Sequence, residues 1–181
     1  MTVLPILIAP DPRLKAECRP VPAVDGAVRR LMDDMLETMK AADGIGLAAP
    51  QVGVLKRVIV VAAPHGEEDD DGEGRSLAPL CMANPEIVWV SDDDEAREEG
   101  CLSLPEHYAE VIRPARVRVR YLDETGEERE IEADGLLGTC IQHEIDHLDG
   151  VLFVDRISAL KRGMILRKLV KSKKLNGAAV G

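Results

Sequence analysis

Aromatic side chains are nearly missing from this chain. Trp89, Tyr108, Tyr121 and Phe153 are all it has, 2% of 181 residues, so no row of rings is available on which the bases of a single strand could stack. Long apolar runs are missing too, and nothing approaches the ~20 residues of a membrane-spanning helix. The opening Met1-Thr2-Val3-Leu4-Pro5 lacks the basic start, apolar stretch and small-residue cleavage site of a secretion signal, which predicts a cytoplasmic protein with no membrane partner. Cysteine is sparse: Cys18, Cys81, Cys101 and Cys140 stand at wide, irregular spacing. A disulfide framework is therefore not expected, and each is either a small core residue or a thiolate with a task. Basic residues are outnumbered, 23 against 33 acidic, and the net charge of −10 argues against a surface generally suited to phosphate. What remains, 45% hydrophobic and 31% charged, is the composition of a folded globular chain. Its length suits one core, so residues 1–181 are expected to form a single domain, with 155–181 as a basic C-terminal helix and tail.

The segment to Pro22 carries Pro5, Pro10, Pro12, Pro20 and Pro22 and should run over the surface as extended chain and turns. A helix follows, capped by Asp25, with Val24, Val28, Leu31, Met35 and Met39 at helical spacing up to Asp43-Gly44. Short strands are expected at Val58 to Ala62, Ile87 to Val90 and Arg116 to Tyr121, the last alternating arginine with Val117, Val119 and Tyr121. Asp123-Glu124-Thr125-Gly126 turns into a partner strand through Ile131. The acidic runs Glu67 to Glu73 and Asp92 to Glu95 read as solvated loops. A second helix runs from about Gly135 to Leu148 behind Asp134 and stops at Gly150. A last one starts at Asp155 or Ser158, runs toward Lys174 and packs through Leu160, Ile165 and Leu169, with Leu166 a further candidate for that side. The pattern is α+β: short antiparallel strands around a central helix, with helices at both ends.

The chemistry concentrates in Gln142-His143-Glu144-Ile145-Asp146-His147. His143 and His147 stand four apart, one helical turn above each other, and can grip one metal ion with Glu144 beside them as a base. Leu136, Cys140, His143 and His147 form one stripe of that helix, while Leu137, Ile141, Ile145 and Leu148 form a neighbouring stripe that packs. A catalytic site of this type takes three protein ligands and leaves a position open. Downstream of His147 there is no His or Glu, so the third ligand is expected from upstream, with Cys101 in Glu99-Gly100-Cys101-Leu102-Ser103 the best candidate. A structural site would need a fourth ligand, which Cys140 could supply; the presence of Glu144 and Gln51 argues against it. Asp146 or Gln142 could position a histidine, or Asp146 could instead pair with an arginine. In Gly44-Ile45-Gly46-Leu47-Ala48-Ala49-Pro50-Gln51, small residues leave backbone open to close approach and Gln51 offers an amide donor.

In this order the three segments resemble the signature motifs of the peptide deformylases: G-φ-G-φ-A-A-x-Q at Gly44 to Gln51, E-G-C-φ-S at Glu99 to Ser103, and Q-H-E-φ-D-H at Gln142 to His147. The likeness extends from the Pro-rich start to the basic last helix, as in the bacterial subgroup with a long C-terminal helix. It implies a metal-binding hydrolase of protein biosynthesis that removes the formyl group from the N-formylmethionine of nascent chains and releases formate. It also implies that Cys101, His143 and His147 bind the metal, Fe(II) natively with zinc, nickel or cobalt as substitutes. Glu144 would be acid and base, and Gln51 and the Leu102 N–H would hold the oxyanion. Gly44, Ile45, Gly46, Gly100, Leu136 and Cys140 would meet the substrate, with Ile45, Leu136 and Cys140 around the methionine side chain. Tyr108 stands where some members carry an arginine that meets the peptide, and the acidic run at 67–73 lies outside the family's core pattern. Another small metallo-amidase or peptidase with the same ligand set is the alternative, as is a ribosome-associated protein with a structural metal.

Charge is unevenly spread. Residues 155–181 carry eight Lys or Arg and one acid, a net of +7, whereas the preceding residues carry −17. A basic last helix suits phosphates, and the resemblance implies docking of that helix on ribosomal RNA or proteins near the tunnel exit.

Overall fold

The computed structural model describes residues 1–64 and 78–178. Along the chain come α1 (Gly26–Ala41), β1 (Gly46–Ala48), β2 (Val58–Val61), β3 (Leu80–Val90), β4 (Asp94–Cys101), β5 (Leu104–Pro114), β6 (Arg116–Leu122), β7 (Glu128–Asp134), α2 (Gly135–Leu148) and α3 (Ala159–Ala178). The fold is the expected α+β arrangement. An antiparallel sheet in the order β1-β2-β3-β6-β7 stands beside a separate hairpin of β4 and β5.

The apolar run of β2 has a layered explanation. Ile59 and Val61 pack with Leu137, Ile141, Ile145 and Leu148 of α2. Val58 and Val60 face the other way, against Val28, Met32, Met35 and Met39 of α1. A strand covered by a helix on each face must be apolar at every position, which is why its sequence does not alternate. The stripe expected to pack on α2 does so.

Local signals set the helix ends. The Asp25 carboxylate accepts from the Ala27 and Val28 N–H groups at 3.0 and 2.9 Å, as its position before α1 predicts. Asp134 precedes α2, but its side chain makes no capping hydrogen bond. Gly150 ends that helix with φ +71°, and a Cβ there would collide with the Lys15 carbonyl.

The strands differ from expectation in three ways. They are not all short, since β3 and β5 have 11 residues each. Asp94 and Glu95 begin β4 instead of ending a loop; one face of the hairpin lies in water, so charge is compatible with a strand there. Ile87 to Val90 are 36–43% exposed instead of buried, because β2 pairs only with Leu80–Ala83 and leaves the far end of β3 covered on one edge alone. In α3, Leu160 is 72% exposed and does not pack, whereas Ile165 and Leu169 do so as expected, with Leu166 beside them, in a cluster with Leu14, Leu104 and Phe153. The acidic run at 67–73 falls outside the described residues.

Candidate metal centre

The centre is assembled by α2 and the end of β4. His143 and His147 project from successive turns of α2, their ring centroids 5.0 Å apart. Cys101 arrives at a break in strand register, where pairing jumps from Gly100 with Tyr108 to Cys101 with Leu104. Such a bulge re-aims a side chain that regular pairing would direct elsewhere. Cys101 Sγ lies 3.3 Å from His147 Nε2, and one donor atom from each of Cys101, His143 and His147 falls within 4.8 Å of the others.

These three donors fit a metal ion. Bonds of ~2.3 Å to sulfur and ~2.0 Å to nitrogen at tetrahedral angles separate S and N donors by about 3.5 Å, close to the spacing seen here. Burial holds His147 well below the usual imidazole range, so the ring is neutral and offers a lone pair. For His143 burial acts in the same direction, but hydrogen bonds that the ring donates to Cys101 and Glu99 outweigh it and favour positive charge at this point. Glu144 Oε2 and His147 Nδ1 are buried with no protein hydrogen-bond partner among the described residues. Cys140 does not join the set; its thiol sits 3.5 Å from the Ile45 carbonyl oxygen, which leaves three candidate ligands and not four among the described residues.

Glu99 orients His143. Its Oε1 lies 2.8 Å from His143 Nδ1, which leaves Nε2 to face the donor cluster. Arg113 of β5 grips Glu99 at two points, 2.6 and 2.9 Å, and reaches Asp146 at 2.9 Å. Of the two readings of Asp146, the arginine pairing is the one found, because Asp146 also accepts from Arg156 at 2.5 and 2.6 Å. Gln142 points away and donates to the carbonyls of Pro114 and Gly138. In the sequence Glu99 stands out only as a motif letter, and Arg113 and Arg156 do not stand out at all. Their signal is three-dimensional, since the paired residues lie on different strands and turns.

A cavity of about 410 Å³ opens onto the cluster, lined by Gly44, Ile45, Gly46, Gln51, Gly100, Cys101, Leu102, Leu136, Cys140, His143 and Glu144, as well as Tyr108. Every expected site residue except His147, which is 1% exposed, reaches its wall. Gly46 is required to be small: a Cβ would lie 2.7 Å from Cys140 Sγ and collide with Glu144 Oε1. Gln51 is pinned, its Oε1 accepting from Ala48 N–H at 2.8 Å and its Nε2 donating to Ser103 Oγ at 3.1 Å and toward Cys101 Sγ at 3.5 Å. Burial pushes the Glu144 carboxyl up to about 7, the range in which a carboxylate can both take and return a proton near neutrality. Outside the clustered ligands, the ring of Tyr108 lies over Gly100, so a side chain at that glycine would strike it.

Residues 3–163 match the family described as Polypeptide deformylase. A peptide deformylase of Methylocella silvestris is 57% identical over 97% of this chain and 88% of its own length. A crystal structure of peptide deformylase from Ehrlichia chaffeensis superposes with TM-score 0.89 at 44% identity, covering 97% of this chain and 99% of that one. The same organism's enzyme in complex with actinonin gives 0.86 at 44% identity, over 95% and 98%.

Proposed function

Since the chain belongs to the polypeptide deformylase family, and is thus a metal-dependent hydrolase that removes the formyl group from N-terminal methionine, we propose that Cys101, His143 and His147 hold its catalytic ion and Glu144 moves the proton. The observation that carries this reading is the meeting of three donor atoms within 4.8 Å beside an unpartnered, buried Glu144 oxygen. A divalent cation bound there supplies Lewis acidity, polarising the formyl carbonyl and acidifying a water.

The remaining chemistry belongs to the chain. A formamide resists hydrolysis because its resonance must be broken and an amine must leave. Glu144 takes the proton of the attacking water and delivers it to the departing nitrogen, so the amine leaves neutral. Gln51 Nε2 and the Leu102 N–H donate to the oxygen as it gains charge, each worth on the order of 3 kcal/mol. Gly46 leaves room beside Glu144 for the formyl group. Ile45, Leu136 and Cys140 take the methionine side chain, and Gly44 and Gly100 let peptide backbone approach closely. Tyr108 meets the chain beyond methionine.

The resident ion is Fe(II): a thiolate ligand suits a soft to borderline cation, and nickel, cobalt or zinc can take its place. The enzyme works in the cytoplasm, where nascent chains emerge. It reaches them by docking α3 on the ribosome near the tunnel exit, a reading supported by exposed Lys161, Arg167, Lys168, Lys171, Lys173 and Lys174. The test is formate release from a formyl-Met-Ala-Ser peptide by metal-loaded protein, with the acetylated peptide as control. Cleavage of both peptides, or of neither, would overturn the assignment.

A further inference from the structure

We propose that Arg156 is a positioning residue for the metal site, holding His143 in place through a chain of buried charges that ends at solvent. This rests on the reading of His143 as a ligand. The chain runs from His143 Nδ1 to Glu99 at 2.8 Å, from Glu99 to Arg113 at 2.6 and 2.9 Å, from Arg113 to Asp146 at 2.9 Å, and from Asp146 to Arg156 at 2.5 and 2.6 Å. Glu99, Arg113, His143 and Asp146 are each no more than 8% exposed. Arg156 alone of the five reaches water, its side chain 42% exposed.

Two carboxylates face two guanidiniums in this chain, so it is neutral with His143 uncharged. Without Arg156, one buried arginine would stand between two carboxylates. Arg113 already spends Nε and Nη2 on Glu99 and only Nη1 on Asp146. An uncompensated Asp146 would draw Arg113 toward itself, because a buried charge that loses its partner is costly and the nearest cation must answer it. The two-point grip on Glu99 would then loosen, and with it the hydrogen bond that sets the ring orientation of His143.

Topology makes this more than a local pairing. Glu99 and Arg113 lie on β4 and β5, the hairpin that carries Cys101, whereas Asp146 lies on α2 between the two histidines. The charge chain therefore ties the cysteine's hairpin to the histidines' helix. Arg156 closes it from the 3-10 turn Phe153–Arg156, whose first residue stacks on the His143 ring with centroids 6.2 Å apart. Asp155 in the same turn is anchored by Lys15 and by Arg162 at 2.8 Å. The turn thus holds His143 twice, by packing from Phe153 and by charge from Arg156.

The experiment measures retention of nickel by the loaded, full-length protein in competition with a chelator, together with the visible spectrum of the cobalt-loaded form. Arg156→Ala should weaken retention about tenfold or more and shift the cobalt bands. Arg156→Lys, which keeps charge but not the forked geometry, should fall between it and the parent. The Asp146→Asn/Arg156→Ala pair should regain much of the loss, since it removes both charges together. A purely packing role predicts no such rescue. Arg156→Ala with parental retention and spectrum would overturn the proposal whatever its melting temperature, as would a double variant worse than the single one. If His143→Ala also retains nickel as the parent does, the ligand assignment itself fails; if it loses nickel while Arg156→Ala does not, only the role of Arg156 fails.

Discussion

Glu144 separates proton transfer from metal binding at the level of one side chain. It lines the cavity but is absent from the cluster of three donors. Glu144→Gln should therefore lower turnover by roughly 10²–10⁴-fold, the usual worth of a positioned acid and base, with metal content unchanged. Formate release and metal analysis on the same sample check this; full turnover in the metal-loaded variant would refute the role. Cys101 leads to a second expectation. With iron as the resident ion, both the ion and its thiolate are open to oxidation, so the iron form should lose activity in air while the nickel form persists. Equal decay of the two forms would count against iron. These two proposed roles were legible in the sequence because His143 and His147 stand one helical turn apart with Glu144 beside them, and Cys101 lies in a distinctive motif. Glu99 and Arg113 were not legible in their roles, because each acts on a partner brought in from another element.

Among the elements, those with one local cause were the easiest to read. The α1 cap is such a case, since Asp25 acts on the next three residues alone; Asp25→Ala should cost about 1 kcal/mol in a denaturant titration and leave turnover untouched. The turn between β6 and β7 was also legible, and its control point is Asp123. Its carboxylate accepts from the Thr125 hydroxyl at 2.6 Å, from Arg129 at 2.8 Å, and from the N–H groups of Thr125 and Glu127. These bonds, the Thr125 hydroxyl first, hold its pKa well below the usual carboxylate range. A carboxylate with a depressed folded pKa stabilises the fold above its unfolded value of ~3.9 and loses that contribution as pH falls through the folded value. The stability gap between the parent and Asp123→Asn should accordingly be widest above about pH 5 and close in acid. A gap that is constant with pH would exclude this linkage. The strand β4 was not legible: Asp94-Glu95-Ala96-Arg97-Glu98-Glu99 has the composition of a loop, and only pairing with β5, through partners 10 to 20 positions away, makes it a strand.

Across the whole molecule, the sequence motifs at 44–51, 99–103 and 142–147 converge on one cavity, while positive charge collects beyond the last of them, in α3. A chain of net −10 should not seek phosphate, yet its last 27 residues carry +7. Truncation after Lys161 is a poor test of what that charge does. It would remove Ile165, Leu166 and Leu169 from the cluster that holds Phe153 and Leu104, and Phe153 stacks on His143. Loss of activity would then say nothing about docking. Lys168, Lys171 and Lys174 are exposed, so replacing all three with glutamine spares the packing side of the helix. Contacts with RNA phosphates release counterions, so cosedimentation of the parent with ribosomes should fall steeply between low and physiological salt, and the triple variant should bind more weakly with a salt slope shallower by up to about 3. Hydrolysis of a formyl-Met peptide should be the same for both, because the substituted lysines lie outside the cavity. A triple variant that cosediments at low salt as well as the parent does would show that α3 is a solvated basic helix and that the enzyme meets its nascent chains without it.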